Sequence, residues 1–361
     1  MSGLFGAGST TAATGNQTLG DISKDVPLNS PPEDAISDLM FSPMSDHLAV
    51  ASWDKKVRIY EINAQGGSEG KALFEHEGPV LSCAWSRDGT KVAGAGADKA
   101  ARMLDLNSGS TTAQQVAAHD QPIRCVKFID GPSNAPMLVT GSWDKTVKYW
   151  DLRQATPIAT LQCQERVYSI DVKDKLMVIA TADRYIDVVN LNDPTKFYKT
   201  IQSPLKWQTR VVSCFKDATG YAIGSIEGRC AIQYVEEKDS SSNFSFKCHR
   251  DTPTGQRDTT LVYSVNAISF HPEYGTFTTA GSDGTFHAWD KDAKHRLKGH
   301  PSVGGPITAT GFSRTGNIFA YSVSYDWSKG YSFNTPQSTN KVMLHGFGAD
   351  DVKPRSTTKK R

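Results

Sequence analysis

Gly141-Ser142-Trp143-Asp144-Lys145-Thr146-Val147-Lys148-Tyr149-Trp150-Asp151 is the stretch that decides the fold. Small residues lead into an acid, a short polar turn follows, and an alternating strand ends in an aromatic residue and a second acid. The same unit recurs seven times, with hairpin acids Asp54, Asp98, Asp144, Asp183, Glu227, Asp283 and Asp326 spaced by 44, 46, 39, 44, 56 and 43 residues. A period near forty-five predicts four-stranded units stacked as repeats. Leu48-Ala49-Val50-Ala51 and Val57-Arg58-Ile59-Tyr60 flank a polar turn, as a hairpin within such a unit requires.

Six residues after the first six acids stand Tyr60, Leu104, Trp150, Val189, Gln233 and Trp289, of which only Gln233 is not a large apolar side chain. The unit is similar to the WD repeat, whose dipeptide is represented by Trp150-Asp151 and Trp289-Asp290. No segment has sustained helical periodicity. A single four-stranded blade cannot bury both faces, so seven must pack around a channel. The expectation is an all-β chain, a seven-bladed WD-repeat β-propeller over residues 24–349. Asp25-Val26-Pro27-Leu28-Asn29 is the strand that would complete the seventh blade from the N-terminal side. Residues 1–23, rich in Gly, Ser, Thr and Ala, read as a flexible tail, and 350–361 as a basic one. Extra length between the fifth and sixth units, 236–260, reads as an insertion on a functional face.

Charge excludes a whole-molecule attraction for nucleic acid: 40 basic against 38 acidic residues give +2. Any RNA contact needs a local patch. The six cysteines contain no Cys-x-x-Cys pair and read as reduced thiols of a cytosolic or nuclear protein. No apolar run is long enough to span a bilayer and no signal peptide is evident, so neither membrane insertion nor secretion is expected.

Catalytic signatures are absent: there is no phosphate-binding glycine loop followed by Lys and Ser/Thr, no Gly-x-Ser-x-Gly elbow and no His-Glu-x-x-His helix. Cys248-His249 lacks further ligands at metal spacing. No catalytic residue, metal or cofactor is therefore assigned. The recurring acids, with His76, His119 and His300 about two dozen residues ahead of three of them, read as hydrogen-bonded turns.

Binding residues are better marked. Trp53 and Trp143 precede hairpin acids, where they serve either as partner anchors or as packing between blades. Lys206 and Arg210 lie in Leu205-Lys206-Trp207-Gln208-Thr209-Arg210, and Lys247 and Arg250 in Phe246-Lys247-Cys248-His249-Arg250. Guanidinium groups in one groove would suit capture of partner carboxylates; solvated surface charge is the alternative.

Ser203-Pro204-Leu205-Lys206, Gly224-Ser225-Ile226-Glu227-Gly228-Arg229, Asn243-Phe244-Ser245-Phe246-Lys247-Cys248-His249-Arg250 and Ser324-Tyr325-Asp326-Trp327-Ser328-Lys329-Gly330 closely resemble the messenger-RNA export propellers of the nuclear pore. The resemblance implies a non-enzymatic scaffold at the nuclear pore and nuclear envelope, with a cytoplasmic fraction. It also implies docking on the GLEBS segment of an FG nucleoporin, whose glutamates pair with Arg210 and Arg250. A second groove for RNA or an mRNA export receptor is expected around Phe270, Arg257, Trp327 and Lys329, although Ala267-Ile268-Ser269-Phe270 also reads as a buried strand. The mitotic-checkpoint propellers share the Ile-Glu-Gly-Arg and Lys-Cys-His-Arg motifs and bind GLEBS-like segments of checkpoint and spindle proteins. They are the alternative family, and a ubiquitin-ligase adaptor is a third reading. Tyr325-Asp326-Trp327-Ser328-Lys329-Gly330 and Lys353-Pro354-Arg355 favour the export branch. A lone Gly3-Leu4-Phe5-Gly6 matches the motif repeated in nucleoporins and is left out of the site.

Overall fold

The computed structural model describes residues 19–63, 65–131, 135–256 and 258–355. Its strands form seven antiparallel four-stranded sheets. Blades one to six run through residues 36–75, 80–118, 123–162, 167–202, 209–247 and 265–299, each with its first strand innermost. Blade seven takes three strands from 307–346 and its outermost strand, Val26–Pro27, from the other end of the chain. Val26 pairs with Leu344 and Pro27 with Met343, so the strand expected at 25–29 closes the ring.

Burial follows the position of a strand within its blade. Second strands are covered on both faces, as in Leu176–Thr181, where every residue is buried. Outer strands alternate, as in Phe244–Lys247 with its half-buried phenylalanines and exposed Ser245 and Lys247. The core is correspondingly divided into seven clusters, each between neighbouring blades. Gly141 shows how close the blades approach: a Cβ there would lie 2.5 Å from the Ile170 side chain and 2.7 Å from that of Val167. The inner strand Ile307–Phe312 packs against Ile36–Phe41, completing the circle.

Each hairpin acid lies between the second and third strands of its blade, and the residue after it has positive φ: Lys55, Lys99, Lys145, Arg184, Gly228, Gly284 and Trp327. Among the described residues five of these acids, Asp54, Asp98, Asp144, Asp283 and Asp326, accept the backbone N–H two residues beyond, which supports a side chain in that conformation. Lys56 donates to Asp54 at 3.1 Å, Thr146 to Asp144 at 2.9 Å, and Ser328 to Asp326 at 3.1 Å.

The expected insertion at 236–260 is not continuous. Phe244–Lys247 within it is the regular outer strand of blade five, because its alternation suits a half-covered strand. The extra length is divided between the 3-10 segment Glu237–Ser242 and a small hairpin pairing Arg250–Asp251 with Leu261–Val262. Packing also continues past residue 349. The helical turn Ala349–Val352 buries Val352, Asp351 lies 3.4 Å from Lys298, and Arg355 donates to the Leu297 carbonyl at 3.1 Å. At the other end Gly20 donates to the Gly299 carbonyl at 2.8 Å. Gly3-Leu4-Phe5-Gly6 lies outside the described residues.

Candidate functional site: the channel mouth and hairpin face

Turns between second and third strands, and loops leading from one blade to the next, lie on one face of the ring. That face carries most of the residues singled out in the sequence. Trp53, before the acid of blade one, stacks on Trp327 of blade seven with centroids 3.8 Å apart. Tyr325 lies 5.5 Å from Trp327. Lys329 sits 5.6 Å above the Phe333 ring and its backbone N–H donates to the Tyr325 hydroxyl. Tyr331 and Phe333 are 85% and 57% exposed, so the long hairpin of blade seven presents aromatic surface to water. Trp143 on blade three is exposed and lies apart from this group.

Arg210 is the first bulged residue of blade five's inner strand and lines the central channel. Protein surrounds it, yet water reaches it through the channel opening, and its residue surface is exposed. It reaches across the mouth to the Asp326 carbonyl of blade seven, 3.2 Å away. Arg250 does something different: from the small hairpin that follows blade five, its Nε donates to the Gly228 carbonyl at 3.2 Å and its Nη2 to that of Glu227 at 2.7 Å, clamping the hairpin of blade five. Lys206 and Lys247 are exposed and make no ion pair among the described residues.

The second groove is not assembled as expected. Phe270 ends the inner strand Val265–Phe270, which runs away from the hairpin face, and its ring packs on Phe215 and Phe277 at 5.4 and 5.2 Å. Trp327 and Lys329 lie on the hairpin face and share it with Trp53 instead. Phe270 is half-buried at the end of its inner strand and lines the central channel, and Arg257 lies outside the described residues. A basic and aromatic strip that sequence reasoning missed runs along blades five and six. There Phe246 lies 4.5 Å from Trp289, and Lys294 5.0 Å above Phe244. The alternating Phe-Ser-Phe-Lys segment was its only sequence signal.

The histidine networks carry structure. In blade three His119 Nδ1 donates to Asp144 at 2.8 Å. Its Nε2 pairs with the Thr140 hydroxyl at 2.7 Å, which in turn accepts the Trp150 indole N–H at 2.8 Å. Burial tends to raise the pKa of Asp144, but hydrogen bonds from Thr146 and His119 outweigh it and hold the carboxyl below its ordinary value. Burial also lowers the pKa of His119 against the pull of Asp144. Blade two has a shorter version, His76 to Asp98 at 3.0 Å. His249, placed in the binding segment by its sequence context, forms the same network in blade six with Asp283 and Thr279, both at 2.9 Å. The extra chain length separates His249 from its acid by 34 residues, which hid the relation. His287 brings a third donor atom within 4.8 Å of this pair, but both ring nitrogens of His249 are already hydrogen-bonded.

His300 does not join Asp326 as expected. Its ring stacks on Phe286 at 4.1 Å, and neither ring nitrogen has a hydrogen-bond partner among the described residues. Asp326 instead accepts from Ser282. Burial, and then His345 nearby, push the His300 pKa down to about 4. The unfolded chain takes up this proton near pH 6.5, so the unfolded state binds more protons between those values. The resulting stability is complete above about pH 7 and is lost as pH falls towards 4. His300→Phe should leave the melting temperature at pH 7.5 nearly unchanged and recover about 2 kcal/mol of the loss at pH 5. Parallel melting curves for the two proteins across that range would contradict this.

All six cysteines are buried and free. No helix among the described residues is long and apolar enough to cross a membrane.

A ring of seven four-stranded blades with acid-fixed hairpins defines a WD-repeat propeller, and the WD domain, G-beta repeat model matches residues 27–61, 67–105, 110–151 and 254–290. Over its whole length the chain is 66% identical to an mRNA export factor GLE2 of Chaetomium thermophilum, covering all of both chains. It is 58% identical to a poly(A)+ RNA export protein of Schizosaccharomyces pombe, covering 98% of each, and 45% identical to an mRNA export factor of Xenopus tropicalis, covering 92% of each. The chain belongs to the mRNA export factor family of WD-repeat propellers.

Proposed function

We propose that this propeller is a non-enzymatic scaffold of mRNA export that docks on the GLEBS segment of an FG nucleoporin at the nuclear pore. The observation that carries the reading is Arg210, an exposed guanidinium lining the channel on the face bearing Trp53, Trp327 and Trp143. Among the described residues it donates one hydrogen bond, to the Asp326 carbonyl. A mobile acidic segment crossing this face would give a glutamate to Arg210, a second to the remaining donors of Arg250, and an apolar side chain to the Trp53–Trp327 stack. Lys206 and Lys247 would add attraction at the rim. Because the segment orders on binding, its affinity should be concentrated in these few anchors. The strip formed by Phe246, Trp289, Phe244 and Lys294 would remain free for RNA or an export receptor, with base stacking and phosphate contact as its chemistry.

Calorimetry of the purified protein with GLEBS peptides from an FG nucleoporin and from a checkpoint protein tests this. The nucleoporin peptide should bind more tightly, and Arg210→Glu should weaken it by at least about a hundredfold, the scale of losing a buried charged partner. The melting temperature should move little, because the native protein uses Arg210 for a single carbonyl contact. Preference for the checkpoint peptide would place the chain with the spindle-checkpoint propellers, and equal binding by Arg210→Glu would remove Arg210 from the site.

A further inference from the structure

All seven inner strands carry a register shift near their start, on the hairpin face of the ring. Each shift leaves unpaired residues on the bulged strand and re-aims their side chains. Six of the displaced residues, Ser37, Arg124, Tyr168, Arg210, Asn266 and Thr308, line the central channel, near the end at which the inner strands begin. None of the six is acidic.

Arg124 and Arg210 therefore occupy equivalent positions in blades three and five, facing the same space. Arg124 donates to the Leu81 carbonyl at 2.9 Å and Arg210 to the Asp326 carbonyl at 3.2 Å. Neither has a carboxylate within ion-pair distance among the described residues, and each guanidinium keeps most of its N–H donors unused. The acids of the channel are engaged elsewhere: Asp171 faces Lys127 at 3.7 Å, and Asp38 accepts from Ser82 and from the Cys83 backbone at 2.9 and 3.1 Å. The Arg210 pKa is lowered, first by burial and then by the charge of Arg124. The two guanidinium groups thus line one channel and act on each other, with the Asp326 charge offsetting part of the effect. Tyr168, Asn266 and the Thr308 hydroxyl add neutral polar groups around the gap.

We propose that the channel mouth is a carboxylate pocket in which Arg124 and Arg210 together hold one acidic side chain of the docked partner segment. This rests on the docking reading above and adds Arg124 to it as a specificity-determining contact. The fork of each guanidinium matches a carboxylate, and the shared carboxylate relieves the repulsion between them. The remaining charge on the segment falls to Arg250, whose guanidinium is tied to the hairpin of blade five.

Binding of a synthetic nucleoporin GLEBS peptide to Arg124→Gln, Arg210→Gln, the double variant and Lys173→Gln is the test. Arg124→Gln should weaken binding by about tenfold or more, the scale of a charged hydrogen bond. The double variant should lose less than the product of the two single losses, because both act on one carboxylate. Lys173→Gln, an exposed charge at the turn between the first and second strands of blade four, away from the hairpin face, should change affinity less than about twofold. Wild-type affinity in Arg124→Gln together with weak binding by Arg210→Gln would overturn the pocket while leaving the docking reading intact. If no GLEBS peptide binds the wild type, glutarate is titrated while the arginine Nε–Hε signals are followed by NMR. Saturable shifts of both Arg124 and Arg210, with the Arg210 shift lost in Arg124→Gln, support the pocket without that docking partner. Absence of such shifts overturns it. Melting curves of each variant identify any that fail to fold, and Arg124→Lys then keeps the charge while removing the fork.

Discussion

Replacing Asp25 by alanine should cost about 3–5 kcal/mol of stability, the range found when one partner of a buried charged contact is removed. Asp25 precedes the two-residue strand that closes the ring, a pairing too short to hold by backbone bonds alone. Its Oδ1 accepts from His345 Nδ1 at 2.6 Å and its Oδ2 from the Tyr321 hydroxyl at 2.7 Å, so one carboxylate ties the N-terminal segment to two other strands of blade seven. Both side chains of the Asp25–His345 pair are almost fully buried. Burial first, and then the bond to Asp25, raise the Tyr321 pKa well above its ordinary value. Alanine would leave the Tyr321 hydroxyl and a second nitrogen of His345 without partners, since His345 Nε2 already has none among the described residues. Asn should restore part of the loss by keeping an acceptor. Chemical denaturation measures the stability, and hydrogen exchange should show 341–346 opening before the other blades. A loss below about 1 kcal/mol, or uniform exchange across the ring, would show that the latch is not what holds blade seven closed.

Thr140→Val should cost about 3 kcal/mol, since it nearly preserves shape while removing the hydroxyl shared by His119 and Trp150. Each of those groups is buried and would be left unpaired at about 1–3 kcal/mol. The equivalent Thr279→Val in blade six should cost less. His249 loses a partner there too, but Trp289 is only half-buried and its indole N–H can turn to water. Denaturation midpoints of the two variants make the comparison, and an equal or reversed order would show that the indole bond contributes little. Neither substitution touches the channel mouth, so peptide binding should survive wherever the protein remains folded.

The blades were legible because their signals are local. A hairpin acid must sit beside the residue with positive φ, and a strand covered on two faces must be apolar throughout, so Ser142-Trp143-Asp144-Lys145 and its six counterparts carry their geometry in a few neighbouring residues. The closing strand could be read for the same reason, as an unpaired β segment ahead of the first complete unit. What sequence could not fix was which distant residues share a space. Phe270 and Trp327 looked like members of one groove, yet they lie at opposite ends of inner and hairpin segments, an outcome set by strand direction. His249 looked like part of a binding motif, yet its partner Asp283 lies beyond an insertion whose length says nothing about spatial distance. Arg124 had no mark in its local sequence at all. Its position opposite Arg210 follows from bulges repeated around a closed ring, and closure is a property of seven blades packing together that no single repeat contains.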